Sequence, residues 1–259
     1  MARGWTYVTP DYRLCPEAAG SDVVEDVIDA FQWVQKNLGQ TIILGGSSAG
    51  AFLAMTVSSL AQKPPVATLL IYGFFDLTDS RYLEPGTTVF GGPPIDTTPV
   101  IAQLDIASKN GTVLSGYPFP EDRSTDARLA FVAAMHQDAI FPDYVAGIPG
   151  LSKMISKSGP SAIPANARKL FAFTFSLTQK FPPTILIHGA DDIAVFPNQS
   201  TKLEQKLKSL RVKTHLEVIS GAGHGFDIGG DIDVENSSED KYFFGPLRKA
   251  LSSLDTFIL

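Results

Sequence analysis

Gly46-Ser47-Ser48-Ala49-Gly50 fits the pattern G-x-S-x-G and lies between two runs of different character. The apolar run Thr41-Ile42-Ile43-Leu44-Gly45 precedes it, and the helix-compatible run Ala51-Phe52-Leu53-Ala54-Met55 follows it. A strand, a sharp turn that carries a serine, and a helix together form a nucleophile elbow. Because such a turn is strained, side chains at Gly46 and Gly50 are expected to collide with the neighbouring strand and helix. The pattern predicts that Ser48 is a nucleophile.

Two later segments supply possible partners for the elbow serine. The run Phe181–Gly189 is typical of a buried strand and leads into Asp191 and Asp192. The run His215–Ile219 is typical of another strand and leads into a glycine-rich turn that carries His224. Serine, aspartate and histidine follow one another in the order of an α/β triad, just past the carboxyl ends of strands where open parallel sheets place their ligands.

The chemistry assigns a role to each residue type. A serine hydroxyl is a poor nucleophile until a base takes its proton, and histidine is basic near neutral pH. An aspartate holds the imidazole in the required tautomer and stabilises its cation. We therefore expect His224 to be the base and one of the two neighbouring aspartates to be the acid. The remaining histidines, His136, His188 and His215, are interpreted as structural or surface residues.

The segment Asp11-Tyr12-Arg13-Leu14-Cys15-Pro16-Glu17 resembles the D-Y-R-L-x-P-E segment of the hormone-sensitive-lipase-like esterases, the α/β-hydrolase fold-3 group. Ser48-Ala49-Gly50, Gly223-His224-Gly225-Phe226 and the predicted helix with Asp26 are similar to the same group. The elbow G-S-S-A-G combined with the ending H-G-F-D, completed here by Asp227, resembles fungal members.

This resemblance implies a fold, an activity and a set of site residues. The fold implied is an α/β-hydrolase: a doubly wound, mostly parallel sheet. The activity implied is hydrolysis of carboxylic esters through a Ser-His-Asp triad and an acyl-enzyme, without a cofactor. The family places its acid three residues before a valine, here Val195, which favours Asp192 over Asp191. The family's oxyanion hole takes one backbone N–H from the residue after the nucleophile, here Ala49.

The sequence departs from the family in three places. Ser47 and Ala51 stand where aspartate and glycine are usual, which are mild changes. The H-G-G-G segment that supplies the other oxyanion N–H in the family does not occur upstream of Asp11. Losing one such donor typically costs about 10²–10³ in rate. We therefore expect low solubility and weakened activity.

The same departure affects the predicted sheet, which would be N-terminally incomplete. Trp5–Thr9 would be the family's fourth strand and Thr41–Leu44 its fifth, with the third normally between them. We expect the fourth strand to slide beside the fifth and leave a smaller sheet, because unpaired buried backbone groups are costly.

Composition limits the function classes. The 259 residues carry a formal net charge of −6, which argues against nucleic acid and anionic membrane surfaces as partners. The apolar runs are too short for a membrane span. The single cysteine, Cys15, allows no internal disulfide, which favours a cytoplasmic location. No metal-binding or dinucleotide motif is apparent, so no metal or cofactor is predicted, and the partner is a small-molecule ester.

Strand and helix patterns alternate along the chain, which predicts a doubly wound sheet. A helix from Asp22, one from Ala49 to about Gln62 and a buried strand over Val66–Tyr72 belong to it. Residues 1–75 and 181–259 are assigned to the core. Residues 76–180 are assigned to a cap that covers Ser48, since they lie between what would be the family's sixth strand, Val66–Tyr72, and its seventh, Phe181–Gly189. Two alternatives stay open: a peptidase or amidase on the same fold, and a truncated, catalytically weak or inactive hydrolase.

Overall fold

The computed structural model describes residues 4–89, 91–110, 112, 114–118, 120–122, 125–228 and 242–258. Its centre is a four-stranded parallel sheet whose strands neighbour one another in chain order. The strands are β1 (Ile43–Ser47), β2 (Ala67–Ile71), β3 (Thr184–Gly189) and β4 (Thr214–Ile219). Since all four run the same way, their carboxyl ends meet at one edge of the sheet, where the predicted site residues follow.

Helices form about half of the remaining described chain. The connections β1–β2 and β3–β4 each contain one helix, as parallel strands require. The helices are α1 (Gly20–Asn37), α2 (Ala49–Leu60), α3 (Ser80–Leu83), α4 (Thr97–Lys109), α5 (Ala127–Gln137), α6 (Phe141–Ala146), α7 (Leu151–Ser158), α8 (Ala172–Phe175), α9 (Asn198–Ser209) and α10 (Phe244–Ile258), with 3₁₀ turns at Gly159–Ala162 and Ala165–Phe171. No described helix is both long and apolar enough to cross a membrane.

Alternate residues of β3 point to opposite faces of the sheet, where they meet different helices. Ile185 and Ile187 are buried in one cluster with Ala250 and Leu254 of α10. His188, on the other face, bonds to α9. Because both faces of the strand are covered, β3 is apolar almost throughout and every residue of it is buried. The predicted α/β-hydrolase sheet with helices on both faces is thus confirmed.

The prediction for the first strand is wrong. Within the described residues 4–9 no strand forms, and the side chains of Tyr7 and Val8 are 77% and 42% exposed. We expected the segment to pair with the strand before Ser48 because the free edge of that strand was expected to be buried. In the structure Gly45 and Ser47 of β1 are exposed, so water can satisfy the free edge and pairing is not enforced.

The strand at the elbow is also displaced from its predicted place. We expected Thr41–Leu44, whereas β1 covers Ile43–Ser47 and includes Gly45 and the first elbow glycine, Gly46. The ladder with β2, in which Ser47 pairs with Ile71, holds these small residues extended although they have weak strand propensity. The strand therefore ends directly at Ser48.

The described chain divides into two compact units. One contains the sheet and consists of residues 4–9, 32–75 and 176–258; the other consists of residues 10–31 and 76–175. The segment around Asp11–Glu17 therefore groups with the long insertion. The predicted division had assigned this segment to the core, together with the sheet. Arg128 of α5 explains this, since its guanidinium bonds to the Cys15 carbonyl at 2.6 Å and to Glu17 at 2.8 Å.

Arg13 attaches the same segment to α1. Its guanidinium and its backbone N–H both donate to the carboxylate of Asp26, at 2.8–3.1 Å. A forked arginine–carboxylate pair fixes the relative orientation of its two side chains and also binds more strongly than a single hydrogen bond. The charge of Arg13 helps to hold the pKa of Asp26 below its usual value, chiefly through this hydrogen bond. The assignment of residues 76–180 as a cap stays a prediction.

Candidate active site

Ser48 lies at a strained turn between β1 and α2. Its backbone has φ 51° and ψ −118°, a conformation that residues other than glycine rarely adopt. The Ser48 N–H donates to the Ile71 carbonyl at 2.9 Å, which ties the turn to β2. Strain at a serine in this position is typical of a nucleophile elbow.

The two elbow glycines differ in their surroundings. A Cβ on Gly46 would lie 2.3 Å from the carbonyl of Gly50, so only glycine fits at Gly46, as expected. A Cβ on Gly50 would have nothing within 4 Å. The expectation of a collision at Gly50 is therefore wrong, because the Gly50 backbone lies against Gly46 while its own Cβ position faces open space.

Helix α2 begins at Ala49, so its first backbone N–H groups have no acceptor within the helix. The Ser48 side chain does not cap them. Ala49 is exposed, and its N–H belongs to this uncapped end. A helix N-terminus of this kind favours negative charge nearby.

His224 connects the serine to an aspartate. Its Nε2 lies 3.1 Å from the Ser48 Oγ, and its Nδ1 lies 2.7 Å from the Asp192 Oδ2. An ionised carboxylate only accepts hydrogen bonds, so Nδ1 carries the proton and Nε2 is left to accept from the serine hydroxyl. The structure thus brings together the three residues named from the sequence.

The loop after β3 holds Asp192 in place. Its Oδ1 accepts hydrogen bonds from the N–H groups of Ala194 and Val195, both at 2.9 Å. Burial by itself would raise the pKa of Asp192, but hydrogen bonds from His188, His224 and the loop backbone hold it well below its usual range. The carboxylate therefore stays ionised at any pH at which histidine can act as a base. Asp191 is exposed, and the His224 Nδ1 bonds to Asp192 instead.

Close backbone packing joins the two loops that carry the acid and the base. The Asp191 N–H donates to the Ala222 carbonyl at 2.9 Å, and the Ala190 N–H donates to Ile219 at 2.8 Å. A Cβ on Gly189 would lie 2.3 Å from that same Ala222 carbonyl. Glycine at the end of β3 is thus required for His224 to approach Asp192.

Tyr72 is a neighbour of the site that sequence reasoning missed. It directly follows β2 and has φ 38°, and its ring centroid lies 4.8 Å from that of His224. Its hydroxyl donates to Asp227, three residues after His224. Burial, together with this bond, raises the pKa of Tyr72 above its usual value. Its place after a strand, at the same sheet edge, is the signal that could have identified it.

His188 was expected to be structural, and the structure places it against the acid. Its side chain is fully buried, and its Nε2 lies 3.2 Å from the Asp192 Oδ2. His215 pairs with Glu217 on β4, and His136 bonds to the Val132 carbonyl within α5. Among the described residues no cluster of histidine, cysteine and carboxylate side chains has an arrangement suited to a metal ion.

Comparison with protein families gives two matches. Residues 2–99, which include the elbow, match the family described as the alpha/beta hydrolase fold. Residues 165–248, which include Asp192 and His224, match the prolyl oligopeptidase family.

The curated relatives are fungal proteins that are much longer than this chain. The non-reducing polyketide synthase ausA of Aspergillus calidoustus is 26% identical over 271 residues, which cover 92% of this chain and 11% of the synthase. The non-reducing polyketide synthase Preu6 of Preussia isomera is 28% identical over 258 residues, which cover 88% of this chain and 11% of the synthase. The chain therefore spans about a tenth of the length of these relatives.

Solved structures resemble the fold at low sequence identity. A Staphylococcus aureus Mu50 protein of unknown function has a TM-score of 0.60 at 16% identity, over 96% of this chain and 77% of its own. An alpha/beta hydrolase superfamily protein from Enterococcus faecalis has a TM-score of 0.57 at 17% identity, over 96% and 76%. With this sheet, this elbow and the family match over residues 2–99, the resemblance carried by the motifs is confirmed, and the chain has the α/β-hydrolase fold.

Proposed function

We propose that this protein is a serine hydrolase of carboxylic esters, with Ser48 as the nucleophile. The observation that supports this is the unbroken hydrogen-bonded path from the Ser48 Oγ through His224 to Asp192, at 3.1 and 2.7 Å. Both distances are within the reach needed for proton transfer and for orienting a base. A base, oriented by an ionised carboxylate, thus reaches the serine of a strained, uncapped turn, which is the arrangement that activates a nucleophile.

In the proposed reaction the His224 Nε2 takes the proton of the Ser48 hydroxyl as its oxygen attacks the ester carbonyl. The tetrahedral intermediate collapses when His224 returns this proton to the departing alcohol, which leaves an acyl group on Ser48. Water, deprotonated by the same nitrogen, then attacks the acyl-enzyme. His224 returns this proton to the Ser48 Oγ as its bond to the acyl group breaks, which releases the acid and the free serine. Asp192 stays ionised throughout and stabilises the imidazolium.

The oxyanion of the intermediate would lie at the N-terminus of α2. The Ala49 N–H is the backbone donor that we assign there, because it follows the nucleophile and lies at the helix end. Donors at such a position stabilise charge that develops only in the transition state.

A fluorophosphonate probe tests the assignment of the nucleophile. We expect the wild-type chain to be labelled and to hydrolyse p-nitrophenyl acetate, and Ser48→Ala to lose labelling and at least about 10³-fold in kcat. Ser47→Ala is the matched control, since it removes the adjacent hydroxyl and should still be labelled.

Labelling that persists in Ser48→Ala would refute Ser48 as the nucleophile. A wild-type chain that folds but is neither labelled nor active would instead favour the alternative of an inactive hydrolase.

A peptidase or amidase is the second candidate, because residues 165–248 match the prolyl oligopeptidase family and contain both Asp192 and His224. The same triad attacks esters and amides, so the arrangement alone does not separate them. Parallel assays with p-nitrophenyl acetate and p-nitroanilide substrates distinguish them. Amide turnover at a comparable rate would favour the peptidase.

The polyketide synthase relatives suggest a substrate class within the hydrolase proposal. Most of this chain matches about a tenth of a synthase whose product is a polyketide, an acyl compound. The proposed acyl transfer to Ser48 would serve a polyketide ester or thioester equally well. Faster turnover of polyketide-like esters or thioesters than of p-nitrophenyl acetate would support this class, and the absence of turnover of both would exclude it.

A further inference from the structure

His188 makes three contacts that settle where its proton lies. Its Nδ1 lies 2.7 Å from the hydroxyl of Ser200 on α9. Its Nε2 lies 2.9 Å from the Val195 carbonyl and 3.2 Å from the Asp192 Oδ2. Because both groups at Nε2 can only accept, the proton lies on Nε2, and the Ser200 hydroxyl donates to Nδ1.

His188 and His224 both lie close to the same oxygen of Asp192. The Asp192 Oδ2 lies 2.7 Å from the His224 Nδ1 and 3.2 Å from the His188 Nε2. The side chains of Asp192 and His188 are fully buried, so water does not compete for this oxygen. A chain of polar contacts thus runs from α9 through Ser200, His188 and the acid to the base, and in it the Val195 carbonyl and the Asp192 carboxylate share the His188 Nε2–H.

We propose that His188 is a positioning residue of this site, whose Nε2–H restrains the Asp192 carboxylate and withdraws part of the charge that it presents to His224. The inference rests on the proposed function, because Asp192 matters only if His224 acts as a base. His188 touches no reacting atom and works through Asp192.

The expected effect of losing this donor has a definite sign. Oδ1 of Asp192 remains held by two backbone N–H groups, so the carboxylate stays in the loop, but its Oδ2 is less closely restrained. With no donor from His188, more negative charge on Oδ2 faces the protonated base and stabilises it. The acid limb of kcat/KM should therefore move to higher pH.

The other ionisable groups near His188 and Asp192 are the same in the wild type and in the variants described below. Tyr72 lies over the His224 ring and bonds to Asp227, and Asp191 precedes the acid at the surface. None of these side chains hydrogen-bonds to His188 among the described residues.

Two amide substitutions at His188, which have similar polarity, separate the effect of the hydrogen-bond donor at Nε2 from the effect of packing. In His188→Gln the amide nitrogen can take the place of Nε2, whereas in His188→Asn it can take only the place of Nδ1. We expect His188→Asn to raise the acid limb of kcat/KM by about 0.5 pH unit and to lower kcat about tenfold, with KM unchanged. His188→Gln should behave as the wild type does.

A spectroscopic readout follows the same bond without turnover. The low-field ¹H resonance of the His224 Nδ1–H, which reports its bond to Asp192, should move in His188→Asn and stay in His188→Gln. His215→Asn is the matched control, since that histidine pairs with Glu217 on the neighbouring strand and should leave the resonance unmoved.

The proposal is overturned if a folded His188→Asn leaves both the resonance and the acid limb unchanged, or if both amides shift them equally. If His188→Asn does not fold, long-range ¹H–¹⁵N spectra of the wild type decide, since a His188 whose Nε2 carries no proton would exclude the donor. These spectra need no activity, so a folded chain that hydrolyses no ester would defeat the proposed function and still allow this test.

Discussion

Tyr72 shows how a single residue can connect the sheet to the base. Its hydroxyl bonds to Asp227 and its ring packs on both His224 and Phe226, the latter at 5.5 Å between centroids. These contacts come from a residue held at positive φ, which costs of order 1–3 kcal/mol and persists only where its surroundings demand it. We infer that the strain is maintained by packing around the loop of His224.

Tyr72→Phe removes the hydroxyl and leaves the half-buried Asp227 without its donor. We expect the free energy of unfolding to fall by about 1–2 kcal/mol and kcat to fall several-fold, with KM little changed. Urea denaturation and ester kinetics measure the two effects. An unchanged kcat in a variant that is destabilised as expected would show that the Asp227 bond serves the fold alone.

At the scale of the element, the strand–turn–helix unit depends on one of its two glycines. Gly46→Ala would place a Cβ 2.3 Å from the Gly50 backbone, so the turn would have to open. Gly50→Ala would meet nothing within 4 Å and replaces glycine within α2, where alanine is favoured.

We predict opposite outcomes for these two substitutions. Gly46→Ala should lower the free energy of unfolding by about 3 kcal/mol or more and abolish fluorophosphonate labelling. Gly50→Ala should be neutral or stabilise by up to about 1 kcal/mol. Chemical denaturation checks both, and an equal loss in the two variants would contradict the geometry of the elbow.

Helix α5 carries a buried histidine with a consequence for acid stability. Burial lowers the pKa of His136 to about 4, and the charge of Arg81 acts in the same direction, while the bond to the Val132 carbonyl opposes it. The unfolded chain, with an ordinary pKa of 6.5, binds this proton first as the pH falls. The folded state therefore loses stability between pH 6.5 and about 4.

We expect this one group to account for up to about 3 kcal/mol of that loss. His136→Phe, which keeps a ring among Tyr82 and Phe141, should flatten the pH dependence of the unfolding free energy in this window. Urea denaturation between pH 4 and 7.5 measures it. An unchanged slope would mean that His136 is solvated in the folded state.

For the whole molecule, the division into two units raises the question of what the second unit does. Its length, its position before the acid-bearing strand and its Pro/Gly-rich sequence motivate the prediction that residues 76–180 cover Ser48. A cap of this kind excludes water and shapes a substrate pocket.

Hydrogen exchange can test this prediction with a covalent adduct. A phosphonate with a long acyl chain, attached to Ser48, should slow exchange in the second unit as well as around the elbow. A short methyl phosphonate is the matched control and should protect the elbow alone. Protection confined to the sheet-containing unit with both adducts would exclude a cap that contacts the acyl chain.

Local sequence determined much of the fold. Helix α2 lies within two residues of its predicted bounds, and Asp126 caps α5 through two backbone N–H groups. These features depend on side-chain period and on contacts between residues close in the chain, which a sequence displays directly. The elbow and the order of serine, aspartate and histidine are equally local patterns.

Tertiary structure alone decided the contacts between distant segments. The bond of His188 to Ser200 and its approach to Asp192 depend on which face of β3 meets α9, and Tyr72 reaches Asp227 across 155 positions of chain. The exposed Trp5–Thr9 segment and the open space at Gly50 likewise follow from which neighbours are present. Strand and helix patterns state which residues are buried, but the partner that buries each one is set by the packing of the whole sheet.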